Sequence, residues 1–327
     1  MRIGLIGAGR IGALHASTLA SLPPVTGLVI TDVDRDLARV LAEKVGAETA
    51  DSLTDLRAAG VDAVVVSTPT STHRALVTYA AEAGLPVFCE KPVAPDVAGT
   101  RSALAAVRAA GVPLQVGFQR RHDAGIVAVR DAIAGGTLGT VHLVRSATHD
   151  PAPPPPGYVA TSGGIFRDCA VHDFDAVRFV TGREVVEVSA TGANRGDAFF
   201  AEHGDVDTAV ATLTLDDGTL AVCTATRYNG AGYDVRLEAH GSAGSLAAGL
   251  DEHAPLPPFA TGAPYAGFGE RFRDAYVAEL VAFCALVAGG GPNTCPGEDA
   301  LAALLVAEAA DLSRREGRPV RIAEVAA

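Results

Sequence analysis

The residues that most constrain this chain stand near its beginning. An apolar, strand-like run, Arg2–Ile6, leads into Gly7-Ala8-Gly9-Arg10-Ile11-Gly12, and a helical pattern follows over 11–22. In a turn of this form the first glycine permits the tight reversal and the second lets backbone approach a pyrophosphate. The third lets the helix pack closely on the strand, and the helix N-terminus offers N–H donors and the positive end of its dipole. The glycine pattern alone is a weak signal; its placement between a strand and a helix gives it weight. Gly7, Gly9, Arg10, Ile11 and Gly12 are therefore read as a phosphate-binding turn.

A second strand-like run, 25–31, ends in Asp32, about 20 residues beyond the turn, where an acidic side chain accepts from both hydroxyls of an adenosine ribose. A 2′-phosphate would meet carboxylate repulsion there, so the expected cofactor is NAD in preference to NADP. Arg35, one turn further on, could soften that preference. The competing role for Asp32 is that of a cap on the next helix.

The same alternation runs on. Strand-like segments at 61–67, 86–89 and 113–118 are separated by helical patterns at 35–45, 72–83 and 94–110, with Gly60, Gly84 and Gly111 at the switches. Such alternation predicts βαβ units and a doubly wound parallel sheet. Beyond it the rhythm changes. A helix is predicted over 122–134, a strand over 140–148, an ordered loop rich in Pro and Gly over 150–164, and a helix over 167–181. Four strand-like segments follow, at 184–191, 208–215, 220–226 and 233–240, and Asp216-Asp217-Gly218 is a hairpin signal between two of them. Two helical stretches, 270–288 and 297–315, end the pattern. The fold class is α/β: a Rossmann domain over 1–119 with a doubly wound parallel sheet. An α+β domain over 120–327, for substrate binding and oligomerisation, carries a mixed, mostly antiparallel sheet.

Chemistry-bearing residues collect at the predicted carboxyl edges of the parallel strands. The third long strand ends in Ser67, Thr68 and the run on to His73, small polar residues suited to a cofactor cleft or to capping the next helix. Cys89-Glu90-Lys91-Pro92 follows the next strand, so Glu90 and Lys91 are placed at the same edge. In the second domain Asp168 and His172 stand four apart on a predicted helix, after Ser162-Gly163-Gly164. Such a pair is often a surface pair or a cap; it is also what alcohol oxidation needs. A neutral His takes the hydroxyl proton near pH 7, and a carboxylate beside it orients the ring. No further ligands share the spacing, so no metal site is expected.

The turn, the Thr-Pro run to His73, Glu90-Lys91-Pro92 and Gly163-Gly164-Ile165-Phe166-Arg167-Asp168 continuing to His172-Asp173 together resemble the Gfo/Idh/MocA oxidoreductase family. The likeness spans nearly the whole chain, as far as the helix with Arg271, Tyr276 and Glu279. Within the family, His149-Asp150-Pro151-Ala152-Pro153 and the segment from Ser162 to Asp175 look most like the inositol 2-dehydrogenases. The resemblance implies a catalytic Lys91, Asp168 and His172, with NAD as cofactor. Its implied reaction takes myo-inositol to its 2-keto product. It favours Arg121 and Tyr233 as substrate contacts; Arg120, Asp150 and Tyr158 are further candidates from their residue types. A sugar or aminocyclitol dehydrogenase of the same family, and an NAD-binding sensor or scaffold without turnover, remain as other readings. The family also implies a homodimer or homotetramer through the open face of the second sheet.

The net charge of −12 argues against a nucleic-acid partner. No run of about 18 uncharged apolar residues suggests a membrane span, and five scattered cysteines without paired spacing point to a reducing cytoplasm.

Overall fold

The computed structural model describes residues 1–256 and 261–326. It divides into two compact units: Met1–Gln119 with Asp274–Leu301, and Arg120–Arg273 with the residues from Ala302 on.

The first unit holds six strands: β1 (Arg2–Ile6), β2 (Gly27–Thr31), β3 (Glu48–Thr49), β4 (Ala63–Val66), β5 (Val87–Glu90) and β6 (Leu114–Gly117). All pairings are parallel, in the order β3-β2-β1-β4-β5-β6. The order reverses between β1 and β4, and a doubly wound sheet opens its ligand cleft at that point, beyond the carboxyl ends of the strands. β1, β4 and β5 are almost wholly buried, as expected of strands covered on both faces. The two-residue β3 and the helix Leu53–Ala58 fall in a stretch for which the sequence shows no clear period.

Residues 274–301 depart from the predicted division at 119/120. Leu280, Phe283 and Cys284, on the helix Arg273–Val287, are buried in the first unit's core with Ile3, Leu5 and Phe88. The Val116 N–H also donates to the Cys295 carbonyl at 2.9 Å. Burial of that apolar face assigns the segment to the first unit, although it lies far along the chain.

The second unit is built on seven strands: β7 (Val141–His149), β8 (Val185–Ala193), β9 (Thr208–Leu215), β10 (Leu220–Thr226), β11 (Asp234–Gly241), β12 (Ser245–Ala248) and β13 (Val320–Arg321). Their order is β12-β11-β7-β10-β9-β8-β13, antiparallel throughout except for β7 against β10. One face carries the core: Ala209, Ala211, Leu213 and Leu215 of β9 pack with Phe174, Val177 and Val180 of the helix Val171–Thr181. The opposite face of β9 is largely open, with Val210 38 % exposed.

Two local features differ from expectation. Within the stretch read as a loop, Pro156–Ser162 is a helix; Pro at a first helical position loses no hydrogen bond and brings a φ already suited to the helix. The predicted helix over 167–181 opens instead with a π-helical turn, Phe166–Ala170, before Val171–Thr181. Gly163 and Gly164 enter it at φ +83° and +88°, a conformation other residues rarely adopt. No helix among the described residues is long and apolar enough to cross a membrane.

Candidate active site

In the first unit the glycine turn has the shape its sequence implies. Gly7 sits at φ +105°, and a Cβ there would lie 2.8 Å from the Ser67 backbone. At Gly12 a Cβ would meet the Gly7 carbonyl oxygen at 2.0 Å, so the helix Arg10–Ser21 packs against the turn only because no side chain intervenes. A Cβ built on Gly9 would meet no non-neighbouring atom of the described residues within 4 Å, which leaves room for a phosphate against bare backbone. Arg10 and Ile11 form the first residues of that helix. Ser67 donates from Oγ to the Gly7 carbonyl at 3.0 Å and holds the turn from β4.

Asp32 accepts from the Ala8 N–H at 2.6 Å and from the Asp34 N–H at 2.9 Å. The cap of the helix Arg35–Val45 is Asp34, whose Oδ1 accepts from Asp36 and Leu37. Asp32 is therefore not the helix cap; it is a carboxylate fastened beside the glycine turn. These features fit a dinucleotide.

The carboxyl edge of β4 and β5 is tied together by His73. Its ring is buried, with Nε2 2.8 Å from the Thr68 carbonyl and Nδ1 2.8 Å from the Pro92 carbonyl. Thr68 and Thr72 share a hydroxyl hydrogen bond of 2.7 Å. His73 thus acts as a clamp between the Thr68 loop and the segment that follows Lys91. Glu90 turns its carboxylate inward, accepting from His15 Nε2 at 2.7 Å, while the half-buried Lys91 follows at the strand end. The Glu90 side chain, expected from the sequence at the cofactor edge, braces that edge from within.

In the second unit, register does the assembling. β7 and β10 run parallel with His149 opposite Thr226, and β11 begins with Asp234 opposite His149. The residues just beyond those positions, Asp150, Arg227 and Tyr233, therefore meet at one end of the sheet. Arg227 donates from Nη1 to Asp150 at 2.8 Å and from Nη2 to Asp168 at 2.6 Å. The π turn carries Asp168 here, and Tyr158, from the helix Pro156–Ser162, donates to its other oxygen at 2.8 Å. His172 is half-buried in the first turn of the helix that follows.

The electrostatics follow from this packing. Burial alone would weaken the Arg227 charge, but Cys169, Asp168 and Asp150 outweigh it and hold the guanidinium protonated above its ordinary range. Burial pushes the Tyr233 phenol up, as does Asp150, against an opposing pull from Arg120, so Tyr233 is a neutral donor. The Cys169 thiol is likewise raised by burial.

Arg227 was not among the residues the sequence singled out. Its partners lie 77 and 59 residues away. The available signal was a charged residue just past a strand, level with Asp150 if 140–148 and 220–226 pair in parallel. Arg120 and Arg121, by contrast, are structural. Arg120 is 2 % exposed and bonded to Asp173 and Thr148 at 2.9 and 2.6 Å. Arg121 is held by both oxygens of buried Asp175, at 2.9 and 2.6 Å, with Phe179 beneath it. A fork engaged in this way braces the fold; this is where the structure places Arg121, the substrate contact expected from the sequence. A cavity of about 480 Å³ opens at Thr140–His142 and Asp217–Thr219. That is the far end of the nine-residue β7 from Asp150, about 30 Å away at ~3.3 Å per residue, so it is separate from this site.

A Rossmann sheet with a tight glycine turn and a carboxylate fastened beside it defines the first unit as a dinucleotide domain. Residues 1–118 match the oxidoreductase family with an NAD-binding Rossmann fold, and residues 126–247 match the GFO/IDH/MocA C-terminal domain. The chain belongs to the Gfo/Idh/MocA oxidoreductase family, and its cofactor is NAD. It is 40% identical to the myo-inositol 2-dehydrogenase of Thermotoga maritima, over 99% of each chain. It superposes on a myo-inositol dehydrogenase of Corynebacterium glutamicum with a TM-score of 0.90, at 38% identity and 98% coverage of each chain. The scyllo-inositol dehydrogenase of Lactobacillus casei, solved with NAD(H) and scyllo-inositol, superposes at 0.88, with 27% identity over 99% of each chain.

Proposed function

We propose that this chain oxidises a ring hydroxyl of a cyclic polyol, with myo-inositol going to its 2-keto product. The observation that carries this reading is the end-to-end likeness to the Thermotoga maritima myo-inositol 2-dehydrogenase. Asp150, Arg227, Asp168 and Tyr158, joined by hydrogen bonds, with Tyr233 at the same end of the sheet, support it. A polyol ring presents hydroxyls in several directions, and this set offers both acceptors and donors.

NAD, when bound, accepts the hydride. The chain's own residues handle the proton and the charge. His172 takes the proton from the reacting hydroxyl as its C–H bond breaks. Asp168, held in place by Arg227 and Tyr158, orients and charge-balances the imidazole. Lys91 donates to the oxygen on which negative charge develops. Gly7, Gly9, Arg10, Ile11, Gly12, Asp32, Ser67 and Thr68 hold the cofactor, with His73 and Glu90 bracing their edge. Asp150, Tyr158 and Tyr233 contact the substrate. Residues 1–119 serve the cofactor; the unit from Arg120 serves the substrate and subunit assembly.

The open face of β7, β9 and β10 supports a homo-oligomer: Val210 and Leu220 are 38 % and 52 % exposed there. The five cysteines are buried thiols, which suits a reducing cytoplasm.

The test is NADH formation over a panel of inositol isomers, hexoses and aminocyclitols, run with the parent and with His172→Ala. Turnover should favour an inositol. The variant should lose about 10²–10⁴-fold in kcat with NAD affinity kept. Preference for a hexose would move the substrate; near-parent kcat would remove His172 as base.

A further inference from the structure

Beneath the end of β5 the first unit buries polar atoms that the reaction above does not use. Glu279, on the helix Arg273–Val287, is 1 % exposed, and among the described residues neither carboxyl oxygen has a hydrogen-bond partner. His15, on the glycine-turn helix, is fully buried; its Nε2 is engaged by Glu90 at 2.7 Å and its Nδ1 has no partner among the described residues. His15, Glu90 and Glu279 each bring one polar atom within 4.8 Å of the others. Gln115 of β6 is also fully buried. It donates from Nε2 to the Glu279 backbone carbonyl at 2.9 Å, and its Oε1 is unpaired among the described residues. Phe88 and Tyr276 wall the group edge-on to the His15 ring, at 5.4 and 6.1 Å between centroids.

An ionised carboxylate without donors in such surroundings is costly, and taking up a proton removes most of that cost. Burial, and then the charge of Glu90, push the Glu279 carboxyl well above the ordinary carboxylate range. The groups that face it are Glu90 from β5, His15 from the helix Arg10–Ser21 and the uncharged Gln115 from β6. Tyr276 stands on its own helix. His15 and Glu90 at 2.7 Å are hydrogen-bonded to each other, an arrangement that a metal ion bound by both would have to open.

We propose that Glu279 is a buried neutral acid packed beside the His15–Glu90 pair, supporting the bond by which His15 holds the Glu90 carboxylate and through it the adjoining Lys91, so that Glu279 is a positioning residue for the reaction. The proton on Glu279 stands independently of the catalytic reading; its service to Lys91 rests on the role proposed for that residue above.

Unfolding of the full chain, parent against Glu279→Gln, over a pH series reads the proton directly. The folded parent keeps a proton that the unfolded chain releases above the ordinary carboxyl range. The parent's stability from this group is therefore complete below that range and falls as pH rises, by up to about tenfold in the unfolding constant per pH unit. Gln carries no such proton, so the variant should gain stability relative to the parent as pH rises. A ratio of unfolding constants that stays flat with pH overturns the neutral acid. So does a stabilisation by added Zn²⁺ or Mn²⁺ that the parent shows and the variant lacks, which would make the group a cation site.

For positioning, Glu279→Gln should keep kcat and its pH profile. Glu279→Ala should lower kcat by up to about a hundredfold through misplacement, with NAD affinity unchanged. Equal losses in the two variants overturn the positioning role. Absence of polyol turnover in the parent, with the pH-dependent ratio intact, overturns the reaction and the service to Lys91 while leaving the neutral acid standing.

Discussion

Arg227 Nη2 lies 2.6 Å from Asp168 Oδ2, and both side chains are close to fully buried, at 6 % and 11 % exposed. With Asp150 on its other nitrogen, this one guanidinium bridges two carboxylates, one just past β7 and one from the π turn.

Removing that cation should be expensive in two ways. Arg227→Met takes the cation from Asp168 and from the partly exposed Asp150, leaving Asp168 with its Tyr158 hydrogen bond, a loss of up to about 3–5 kcal/mol in stability. It also removes the positive charge that favours ionised Asp168, so the acid limb of the kcat profile should move to higher pH. Arg227→Lys keeps a charge but not the two-pronged geometry and should fall between. Urea unfolding and a kcat–pH profile measure both effects; an unmoved acid limb would detach Arg227 from Asp168 function.

Asp32 is fastened to the Ala8 N–H, and Asp34 does the helix capping. Asp32→Ser should therefore weaken NAD use and relatively favour NADP, because the repulsion of a 2′-phosphate is gone, without loss of the following helix. The check is the ratio of kcat/KM for the two cofactors, together with the thermal midpoint. An unchanged ratio would remove Asp32 from ribose recognition.

The outward face of β9 and β10 presents Val210 and Leu220 while their alternate residues, Ala209, Ala211 and Ala221, fill the core. An uncharged outward face on β9 and β10, with Val210 and Leu220 among threonines, is suited to packing against a second subunit. Sedimentation should show a species larger than one 33.2 kDa chain, and Leu220→Glu should shift it toward the monomer. A parent that sediments as a single chain at micromolar concentration would contradict the interface.

How much of this was legible in the sequence depended on where the determining contacts lie. The glycine turn, Asp32 and the parallel strands are local: each strand's composition and each switch glycine stand within a few residues of what they specify. The place of Lys91 at a strand end followed from the same alternation. The helix Pro156–Ser162 was hidden because its prolines read as loop signals, although Pro is well suited to a first turn. Residues 274–301 and Arg227 were hidden for a different reason. The first is placed by Leu280 and Phe283 packing against strands far earlier in the chain. The second depends on β7 and β10 being parallel neighbours, a pairing that consecutive hairpin signals do not announce. His73 and Glu90 were placed at the correct edge, but their inward hydrogen bonds, which make them braces, are visible only in the folded chain.

The central claim is direct hydride transfer from a cyclitol carbon to NAD, and one labelling measurement tests it. The full chain is incubated with NAD and myo-inositol deuterated at C2, and the reduced cofactor is analysed by mass spectrometry and proton NMR. As the C2–D bond breaks, deuteride should pass to the nicotinamide while His172 takes the hydroxyl proton, so the account predicts reduced cofactor carrying one deuterium, and a slower rate than with unlabelled substrate if the transfer limits turnover. Reduced cofactor without deuterium, or no reduction of NAD at all, would contradict it.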